Sequence, residues 1–392
     1  MRGGTRRKQS SRDADASFRV ALVSSSFAPH IGGVETHVAR VAAGLKTRGH
    51  AVEVWTVDRG EGIGVRSVDG IVTRVMPAPL PTASFRGLSR FLRVVPRAWR
   101  MWASAYSSFA PTVVHVHCFG PNGAYALALN RRFPVRLFVT SHGETFMDDN
   151  RLFETSTIMR RALRSALTRA EVVTGPSRVV LSDLTARFGL QGGVTIPNGV
   201  DPSIRPRHNR TKGRYILAVG RLGVTKGFDL LLEAFALADL PDDVSLVIGG
   251  DGPERGGLDR RAAELGIASR VRFVGWLDEQ AIADLMGGST AVVVPSRIEA
   301  FGIVALEAWR AGAPLLMTRH GGATEFMRDG HDAILIDPHN VHASAEAIRR
   351  IFSDARLRRK IASGGAVSVR GFTWESVVDR YVSLYSSRPT PR

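Results

Sequence analysis

The sequence predicts an α/β protein with two doubly wound, Rossmann-like parallel-sheet domains that face each other across a cleft. The chain has 392 residues, which is long for one hydrophobic core. Short apolar strands alternate with helical segments, as in parallel α/β sheets. The alternation stops at a segment rich in proline, glycine and charge and then begins again. Because ligands of such sheets bind at the carboxyl ends of the strands, functional side chains are expected there.

The first half opens with a strand, a helix and a second strand, which together form a βαβ unit. The first strand covers 18–27, a loop and helix cover 32–50, and the next strand covers 51–58. Further apolar segments with the length of strands follow at 112–117, 136–142 and 170–176.

The second half repeats this alternation. It begins with a strand over 214–222 and a helix over 226–238. Its later strands are predicted at 244–252, 271–277, 291–296, 313–318 and 333–338. The chain is therefore divided into a disordered basic tail (1–17), a first domain (18–200), a linker (201–213), a second domain (214–371) and a C-terminal helical segment (372–392).

Charge and cysteine content limit the classes of partner and compartment. The formal net charge of +17 favours anionic partners such as nucleotides, phosphorylated sugars or acidic lipid headgroups. Nucleic acid is not expected, because no binding module for it is recognisable. The tail lacks the apolar core of a secretory signal, and no segment has the roughly 18 apolar residues of a membrane span. The single cysteine, Cys118, fits a reducing cytoplasm.

Cations and glycines follow several predicted strands. Arg221 and Lys226 lie between a strand and the next helix, where free backbone amides already favour a phosphate. Two solvated loop cations are the alternative. Gly250 follows the next strand, and Gly32 and Gly33 precede the first long helix, so the backbone at each place could approach a ligand. The Gly-Lys-Ser/Thr ending of a Walker loop is missing here, as is a GxGxxG motif after the first strand.

Histidines cluster at the ends of two strands in the first half. His142 ends its predicted strand, where it could donate to a sugar hydroxyl or exchange a proton. His115 and His117 share one face of their strand, and with His142 they raise the question of a metal site. Spacing supplies no fourth ligand and no carboxylate, so we predict no metal.

The segment 84–105 has the sharpest amphipathic pattern in the chain. Pro96 is expected to kink this helix or to begin a new one. Its two faces allow two interpretations: packing on the sheet with a solvated basic face, or docking on an anionic membrane. The basic face carries Arg86, Arg90, Arg93, Arg97 and Arg100, and the apolar face carries Leu88, Phe91, Leu92, Val95, Trp99 and Trp102.

Two glutamates, Glu299 and Glu307, lie eight positions apart in an otherwise apolar segment. On one continuous helix they would be about 12 Å apart along the axis. That exceeds the roughly 6.5–9.5 Å of a carboxylate pair that activates water. Glu299 is therefore expected in a loop and Glu307 inside the following helix, with separate tasks.

Taken together, GGVETHV, TSHG, IPNGVD, VGRLGVTKG, GDGP and EAFGIVALEAWRAG, followed by Gly321 and Gly322, resemble the retaining glycosyltransferases of family 4 with the GT-B fold. The resemblance runs from about residue 18 to 385. It implies that the first domain lies on the acceptor side, that the second binds the nucleotide sugar, and that the segment 372–385 crosses back to the first domain.

The resemblance also implies roles for individual residues. Arg221 and Lys226 would hold the pyrophosphate of the donor, and His142 and Glu299 would lie beside its sugar; these four are the predicted catalytic residues. Glu307 would hold the ribose hydroxyls. The remaining predicted substrate-binding residues are Gly32, Gly33, Asn198, Gly250, Trp276, Phe301, Gly302 and Ile303.

The implied reaction transfers a hexosyl group to a hydroxyl acceptor with retention and without a metal or other cofactor. The sole Asp-x-Asp, Asp13 and Asp15, lies in the tail. Nothing in the sequence is an obvious nucleophile for a covalent intermediate, so same-face attack is favoured. The donor stays open between UDP-sugars and GDP-mannose. The basic helix favours a lipid-linked or cell-envelope acceptor and attachment to the inner face of the membrane.

Two alternatives stay open. Another enzyme of the same fold, such as a sugar-nucleotide epimerase, is disfavoured because such epimerases lack the Glu–x7–Glu arrangement. A non-catalytic nucleotide-sugar-binding protein is disfavoured because Arg221, Lys226, His142 and Glu299 occur together.

Overall fold

The computed structural model describes residues 17–30, 32–81, 85–148, 151–207 and 214–387. These residues form two predominantly parallel sheets with helices on both faces, so the predicted α/β fold class is confirmed. Of the predicted tail, residues 1–16 lie outside the described residues, as do the parts of the predicted linker and C-terminal segment at 208–213 and 388–392.

The first sheet has eight strands in the order β3-β4-β2-β1-β5-β6-β7-β8. All neighbours pair in parallel except β3 and β4. That hairpin was not predicted, although its Asp69-Gly70 turn, with positive φ at both residues, is a typical hairpin signal. The strands are β1 (Arg19–Ser24), β2 (Ala51–Val57), β3 (Gly64–Val68), β4 (Ile71–Met76), β5 (Val113–His117), β6 (Arg136–Thr140), β7 (Val172–Gly175) and β8 (Val194–Thr195).

Helices cover both faces of this sheet, so its strands are apolar on both sides. Val54 of β2 packs in the core beneath the first helix, and Trp55 packs on the opposite face against Trp102. The helices are α1 (Gly33–Thr47), α2 (Phe85–Phe109), α3 (Pro121–Arg132), α4 (Leu152–Thr155), α5 (Thr157–Arg169) and α6 (Arg178–Phe188).

Helix α2 differs from its prediction in two ways. It continues through Pro96 as one helix to Phe109, so Pro96 does not begin a new helix. Its apolar face is buried at Trp102, but Leu88 and Leu92 in the first half are 43% and 60% exposed. The sheet therefore covers only the second half of the amphipathic segment. Ser84, where the predicted helix began, lies outside the described residues.

The second sheet has six parallel strands in the order β11-β10-β9-β12-β13-β14. The strands are β9 (Arg214–Val219), β10 (Val244–Gly249), β11 (Val271–Gly275), β12 (Ala291–Val294), β13 (Leu315–Thr318) and β14 (Ile334–Ile336). The helices are α7 (Phe228–Leu237), α8 (Arg255–Glu264), α9 (Glu279–Gly288), α10 (Ile303–Arg310), α11 (Val341–Ser353), α12 (Ala355–Ser368) and α13 (Trp374–Ser386).

The last helix, α13, packs on α1 of the first domain. The chain returns beside residue 200, where the Val200 amide donates to the Phe372 carbonyl. Gly44 of α1 lies directly against Val378 of α13, because a Cβ at Gly44 would be 2.6 Å from a Val378 methyl carbon. Glycine at this position lets the two helix backbones approach closely.

Replacement of Gly44 by alanine tests this contact. Gly44→Ala is expected to lower the free energy of unfolding by about 1–3 kcal/mol, because the new methyl group overpacks the helix interface. The matched control is Gly256→Ala in α8, where no atom lies within 4 Å of the new Cβ. It should be neutral or stabilising by up to about 1 kcal/mol through helix propensity. Urea unfolding measures both, and stabilisation by Gly44→Ala would contradict the packing.

Candidate active site

The site lies where the strand order of the second sheet reverses. The chain passes from β9 outward to β11 and then returns to β12, on the other side of β9, so a crevice opens at the carboxyl ends of β9 and β12. Lys226 follows β9 and Glu299 follows β12. Lys226 Nζ lies 2.7 Å from Glu299 Oε2, which also accepts a hydrogen bond from Ser296 Oγ at 3.0 Å. Two predicted catalytic residues therefore meet as an ion pair.

The backbone around Lys226 explains this meeting. Lys226 ends a 3₁₀ turn and precedes α7, whereas the sequence predicted it at the start of the helix. Gly227 has φ +66°, and a Cβ there would lie 2.2 Å from the Pro295 carbonyl oxygen. Only glycine fits this approach. The Arg297 guanidinium pairs with Asp229 and so ties the β12 loop to the start of α7.

The loop that carries Glu299 is held by the chain after β13. The Glu299 amide donates to the His320 carbonyl, and the Gly322 amide donates to the Glu299 carbonyl. A Cβ at Gly321, where φ is +116°, would lie 1.9 Å from that carbonyl oxygen. The glycine pair in the sequence motif is thus required for the backbone path that positions Glu299.

Glu307 lies one turn inside α10 in a different environment from Glu299. Its side chain is buried, and no described residue donates a hydrogen bond to its carboxylate. Burial raises the pKa of Glu307 to about 7; the nearby Arg310 guanidinium opposes this shift and Glu279 adds to it. Glu307 therefore differs from Glu299, whose carboxylate is paired with Lys226.

The amino end of α10 faces the first domain. Gly302 precedes the helix with φ +92°, and a Cβ at Gly33 of α1 would lie 3.5 Å from the Ile303 Cδ1. Phe301 is buried and its ring stacks on Phe326, so only its backbone is available to a ligand. Gly32 immediately precedes α1, where a Cβ would meet the Glu35 carboxylate at 2.6 Å. The first amides of α10 therefore lie opposite the start of α1.

Direct contacts join the two domains around this opening. Ser177 Oγ donates to the Ala300 carbonyl at 2.7 Å. Glu325 of the second domain accepts hydrogen bonds from the Arg178 and Val179 amides, both at 2.9 Å, and so caps α6 of the first domain. Arg40 of α1 pairs with Glu279 of α9. The structure therefore holds both halves of the candidate site together.

Three histidines of the first domain gather at the carboxyl end of its sheet. His142 Nε2 lies 3.3 Å from His117 Nδ1, and His37 of α1 packs edge-on to His142 with ring centroids 4.8 Å apart. Burial lowers the pKa of His37 to about 4 and holds those of His117 and His142 well below the usual value. Asn198 is buried, and its side-chain oxygen contacts His37 Nδ1 at 2.7 Å.

His115 shares a strand face with His117, but its ring nitrogens are engaged elsewhere than in the histidine group. Its Nδ1 lies 2.6 Å from the Tyr385 hydroxyl and its Nε2 lies 2.7 Å from the Thr140 hydroxyl. The group whose ring nitrogens converge contains His37 in its place. Spacing along one strand could not reveal this, because His37 lies on α1.

The remaining predicted residues line the same edge of the second sheet. The Gly250 amide donates to the Gly275 carbonyl at 2.7 Å, and a Cβ at Gly250 would lie 2.0 Å from the Gly220 oxygen. Trp276 is 53% exposed at the end of β11. Arg221 is exposed, and no carboxylate within the described ranges pairs with it. It is thus an available cation on the same segment between β9 and α7 as Lys226.

Several residues of the site were not singled out from the sequence. Glu144 accepts hydrogen bonds from the Phe119 and His142 amides and from Ser141, which fixes the loop that carries His142. The signal for Glu144 was its place in the Ser-His-Gly-Glu segment. Glu325 gave no local signal, because its partners belong to the other domain.

Two family models match adjoining parts of the chain. Residues 31–204 match the model described as Glycosyltransferase Family 4, and residues 200–366 match the model described as Glycosyl transferases group 1. The class of protein defined by this fold and these matches is a glycosyltransferase with the GT-B fold. Within that class the chain belongs to family 4, the glycosyl transferases group 1.

Individual relatives agree with this assignment. A D-inositol 3-phosphate glycosyltransferase of Thermomonospora curvata is 28% identical over an alignment of 399 positions, gaps included, that covers 91% of this chain and 90% of that protein. The lipopolysaccharide core biosynthesis glycosyltransferase LpsE of Rhizobium meliloti is 37% identical over 175 residues, but these cover 44% of this chain and only 50% of that protein. The structure of HepE from Anabaena in complex with UDP and glucose is similar with a TM-score of 0.77 at 20% identity, over 95% of this chain and 100% of that one. This similarity establishes the GT-B fold.

The buried Glu307 carboxyl gives a pH-dependent stability. The folded chain keeps its proton to about pH 7, while the unfolded chain releases it near pH 4.5. The raised pKa of Glu307 therefore stabilises the folded chain fully below pH 4.5, and this stabilisation is lost as the pH rises to about 7. Over that window the wild type should lose up to about 3 kcal/mol relative to Glu307→Gln. Urea unfolding at several pH values measures this difference.

The matched control for this measurement is Glu375→Gln, which alters an exposed carboxyl on α13. It makes the same change of carboxyl to amide at the surface, so it separates the effect of burial at Glu307 from that of the substitution itself. A constant difference between the wild type and Glu307→Gln would contradict the raised pKa of Glu307.

Proposed function

We propose that this protein is a retaining glycosyltransferase that moves a hexosyl group from a nucleotide diphosphate sugar to a hydroxyl of an acceptor, without a metal ion. The observation that carries the proposal is the Lys226–Glu299 pair at the reversal point of the second sheet, opposite the amino end of α10. A cation, a carboxylate and free helix amides at one edge suit a molecule that joins a diphosphate to a polyhydroxylated sugar.

The diphosphate is assigned to Arg221, Lys226 and the amides of Phe301, Gly302 and Ile303. Negative charge increases on the diphosphate as its bond to the sugar breaks, and cations with fixed amide dipoles stabilise that charge. Arg221 has no competing carboxylate among the described residues, and Lys226 is part-exposed in the crevice. Both can therefore bind the leaving group.

The nucleoside is assigned to Glu307, Gly250 and Trp276. Ribose hydroxyls would donate to the Glu307 carboxylate, which has no donor among the described residues. Hydrogen bonds of this kind favour the charged form of the acid. The exposed Trp276 offers an apolar face for the base, and the backbone at Gly250 lets the ligand approach closely.

The transferred sugar is assigned to the space between Glu299 and His142. In the proposed reaction the bond from the anomeric carbon to the diphosphate oxygen breaks, and a bond to the acceptor oxygen forms on the same face. The acceptor proton passes to the leaving diphosphate. Gly32 and Gly33 border the diphosphate and the acceptor.

The comparisons support a nucleotide-sugar donor without fixing it. HepE is a neighbour in complex with UDP and glucose, which favours a UDP-sugar over GDP-mannose. The names of the two sequence relatives concern lipopolysaccharide core and inositol 3-phosphate glycosylation. A cell-envelope glycan or a glycolipid precursor is the acceptor class that we infer.

A panel of nucleotide sugars tests the proposal. One UDP-sugar or GDP-mannose should raise the melting temperature and be slowly hydrolysed, and Lys226→Ala should slow hydrolysis by about 100-fold or more, because it removes charge stabilisation of the leaving diphosphate. The matched control is the exposed Lys360→Ala on α12, which should keep full activity.

Each part of the proposal has an outcome that contradicts it. Binding with neither hydrolysis nor transfer would indicate a non-catalytic nucleotide-sugar-binding protein. Release of an epimerised sugar would indicate an epimerase. An anomeric proton signal in the NMR spectrum of the product that shows inverted configuration would exclude retention. Loss of activity with a chelator would exclude metal independence.

We further infer that the first half of α2 attaches the protein to an anionic membrane at its cytoplasmic face. The structure has no described helix that is both long and apolar enough to cross a bilayer. An interfacial helix instead combines exposed apolar residues with cations. Phe85 is 88% exposed and Val94 is 40% exposed, beside the exposed Leu88 and Leu92. The arginines of α2 supply the positive charge.

Vesicle binding tests the membrane proposal. The protein should co-sediment with vesicles that contain anionic lipid and not with neutral vesicles. Leu92→Glu should weaken the binding, because it places a charge on the apolar face. The matched control is Leu237→Glu, which alters a similarly exposed leucine on α7 of the second domain. Equal loss in both variants, or binding to neutral vesicles alone, would contradict the role of α2.

A further inference from the structure

Three histidines of the first domain form a group with the geometry of a metal site. His37 comes from α1, His117 ends β5 and His142 follows β6. Each offers one ring nitrogen, and these three nitrogens lie within 4.8 Å of one another. We propose that this group binds one divalent transition-metal ion, with Zn²⁺ as the ion best suited to three imidazoles.

The hydrogen bonds of His37 prepare it as a ligand. Its Nδ1 lies 2.7 Å from Asn198 Oδ1, which accepts a hydrogen bond, so Nδ1 carries the hydrogen and Nε2 carries the lone pair. Metal-binding histidines generally donate their other N–H to such an outer partner. The Tyr381 hydroxyl lies 3.2 Å from His37 Nε2 and 3.3 Å from the Thr140 hydroxyl. It keeps the contact with Thr140 when a metal ion replaces its contact with Nε2.

The other two histidines complete the geometry. Tetrahedral zinc with bonds of about 2.0–2.1 Å separates two nitrogen ligands by about 3.4 Å. His117 Nδ1 and His142 Nε2 are already 3.3 Å apart. The His117 Nε2 is buried and has no hydrogen-bond partner among the described residues. Hydrogen bonds to the protein therefore do not fix this ring at both nitrogens. Metal binding needs the lone pairs of His117 Nδ1 and His142 Nε2, so the hydrogen of each ring must then lie on its other nitrogen.

The fourth coordination position is left for a solvent molecule. Glu144, two residues after His142, accepts hydrogen bonds from two amides and Ser141, so it does not turn towards the histidines. His142 is half-buried, whereas His37 and His117 are buried, so the ion enters from the side of His142. Zinc bound there would compete with the donor sugar. This consequence rests on the proposed function, but binding of the ion does not.

Metal binding is measured on the full chain after removal of metal and in the absence of nucleotide. Zinc titrated against a chromogenic chelator should bind at one ion per chain, and cobalt should give the intense visible bands of a four-coordinate site. His142→Gln should abolish this binding. Asn198→Ala, which removes only the outer partner of His37, should weaken it by about 10–100-fold.

The matched control is the double variant His320→Gln/His339→Gln. These two rings are 5.8 Å apart on the surface of the second domain, and they offer an adventitious zinc site. The control should retain the tight site and its cobalt spectrum. The proposal is overturned if cobalt in the wild type gives only a weak octahedral spectrum, or if the control loses the tight site while His142→Gln keeps it.

A folding defect in His142→Gln does not decide the result, because the cobalt spectrum of the wild type by itself shows whether the site is four-coordinate. Zinc should also raise the melting temperature of the wild type and of the control but not of His142→Gln. Failure of zinc binding would leave the glycosyltransferase proposal untouched, since hydrolysis of the donor is measured separately.

Discussion

The close approach of two loops at the reversal point of the second sheet is the constraint on which the candidate site depends. The Gly227 backbone lies so close to the Pro295 carbonyl that a Cβ at residue 227 would clash with the carbonyl oxygen. The loops after β9 and β12 can therefore approach each other only with glycine at position 227. Lys226 and Glu299, on either side of that contact, then form an ion pair at 2.7 Å. The pair keeps a buried carboxylate compensated before any ligand arrives, while the exposed Arg221 stays available to an anion.

The two glutamates differ because their surroundings supply different partners. Glu299 has a lysine and the Ser296 hydroxyl, so its charge is stabilised within the protein. Glu307 has no donor among the described residues and its pKa rises to about 7, so its charged form is costly in the unliganded protein. A ligand that brings hydroxyl donors would remove that cost. The two carboxyls thus differ in their partners: Glu299 is paired within the protein, and Glu307 would gain its donors from a ligand.

The sequence predicted the fold class and the strand-end positions well, because hydrophobic periodicity is local. It also indicated which residues follow neighbouring strands, and the structure brings Lys226 and Glu299 together from positions 73 residues apart. Contacts that depend on docking of distant elements were missed. Glu325 caps α6 across the domain boundary, and His37 replaces His115 in the histidine group because Tyr385 of the last helix engages His115. No local pattern encodes these pairings.

The last helix determines part of the first domain's side of the cleft. The hydroxyls of Tyr381 and Tyr385 contact His37 Nε2 and His115 Nδ1, which would otherwise be buried without a partner at a cost of about 1–3 kcal/mol each. The orientation of the rings behind His142 therefore depends on a helix that follows the second domain in sequence. The chain enters the second domain and returns from it side by side, at Val200 and Thr373. Any change in the separation of the two sheets must therefore alter the backbone at both crossings.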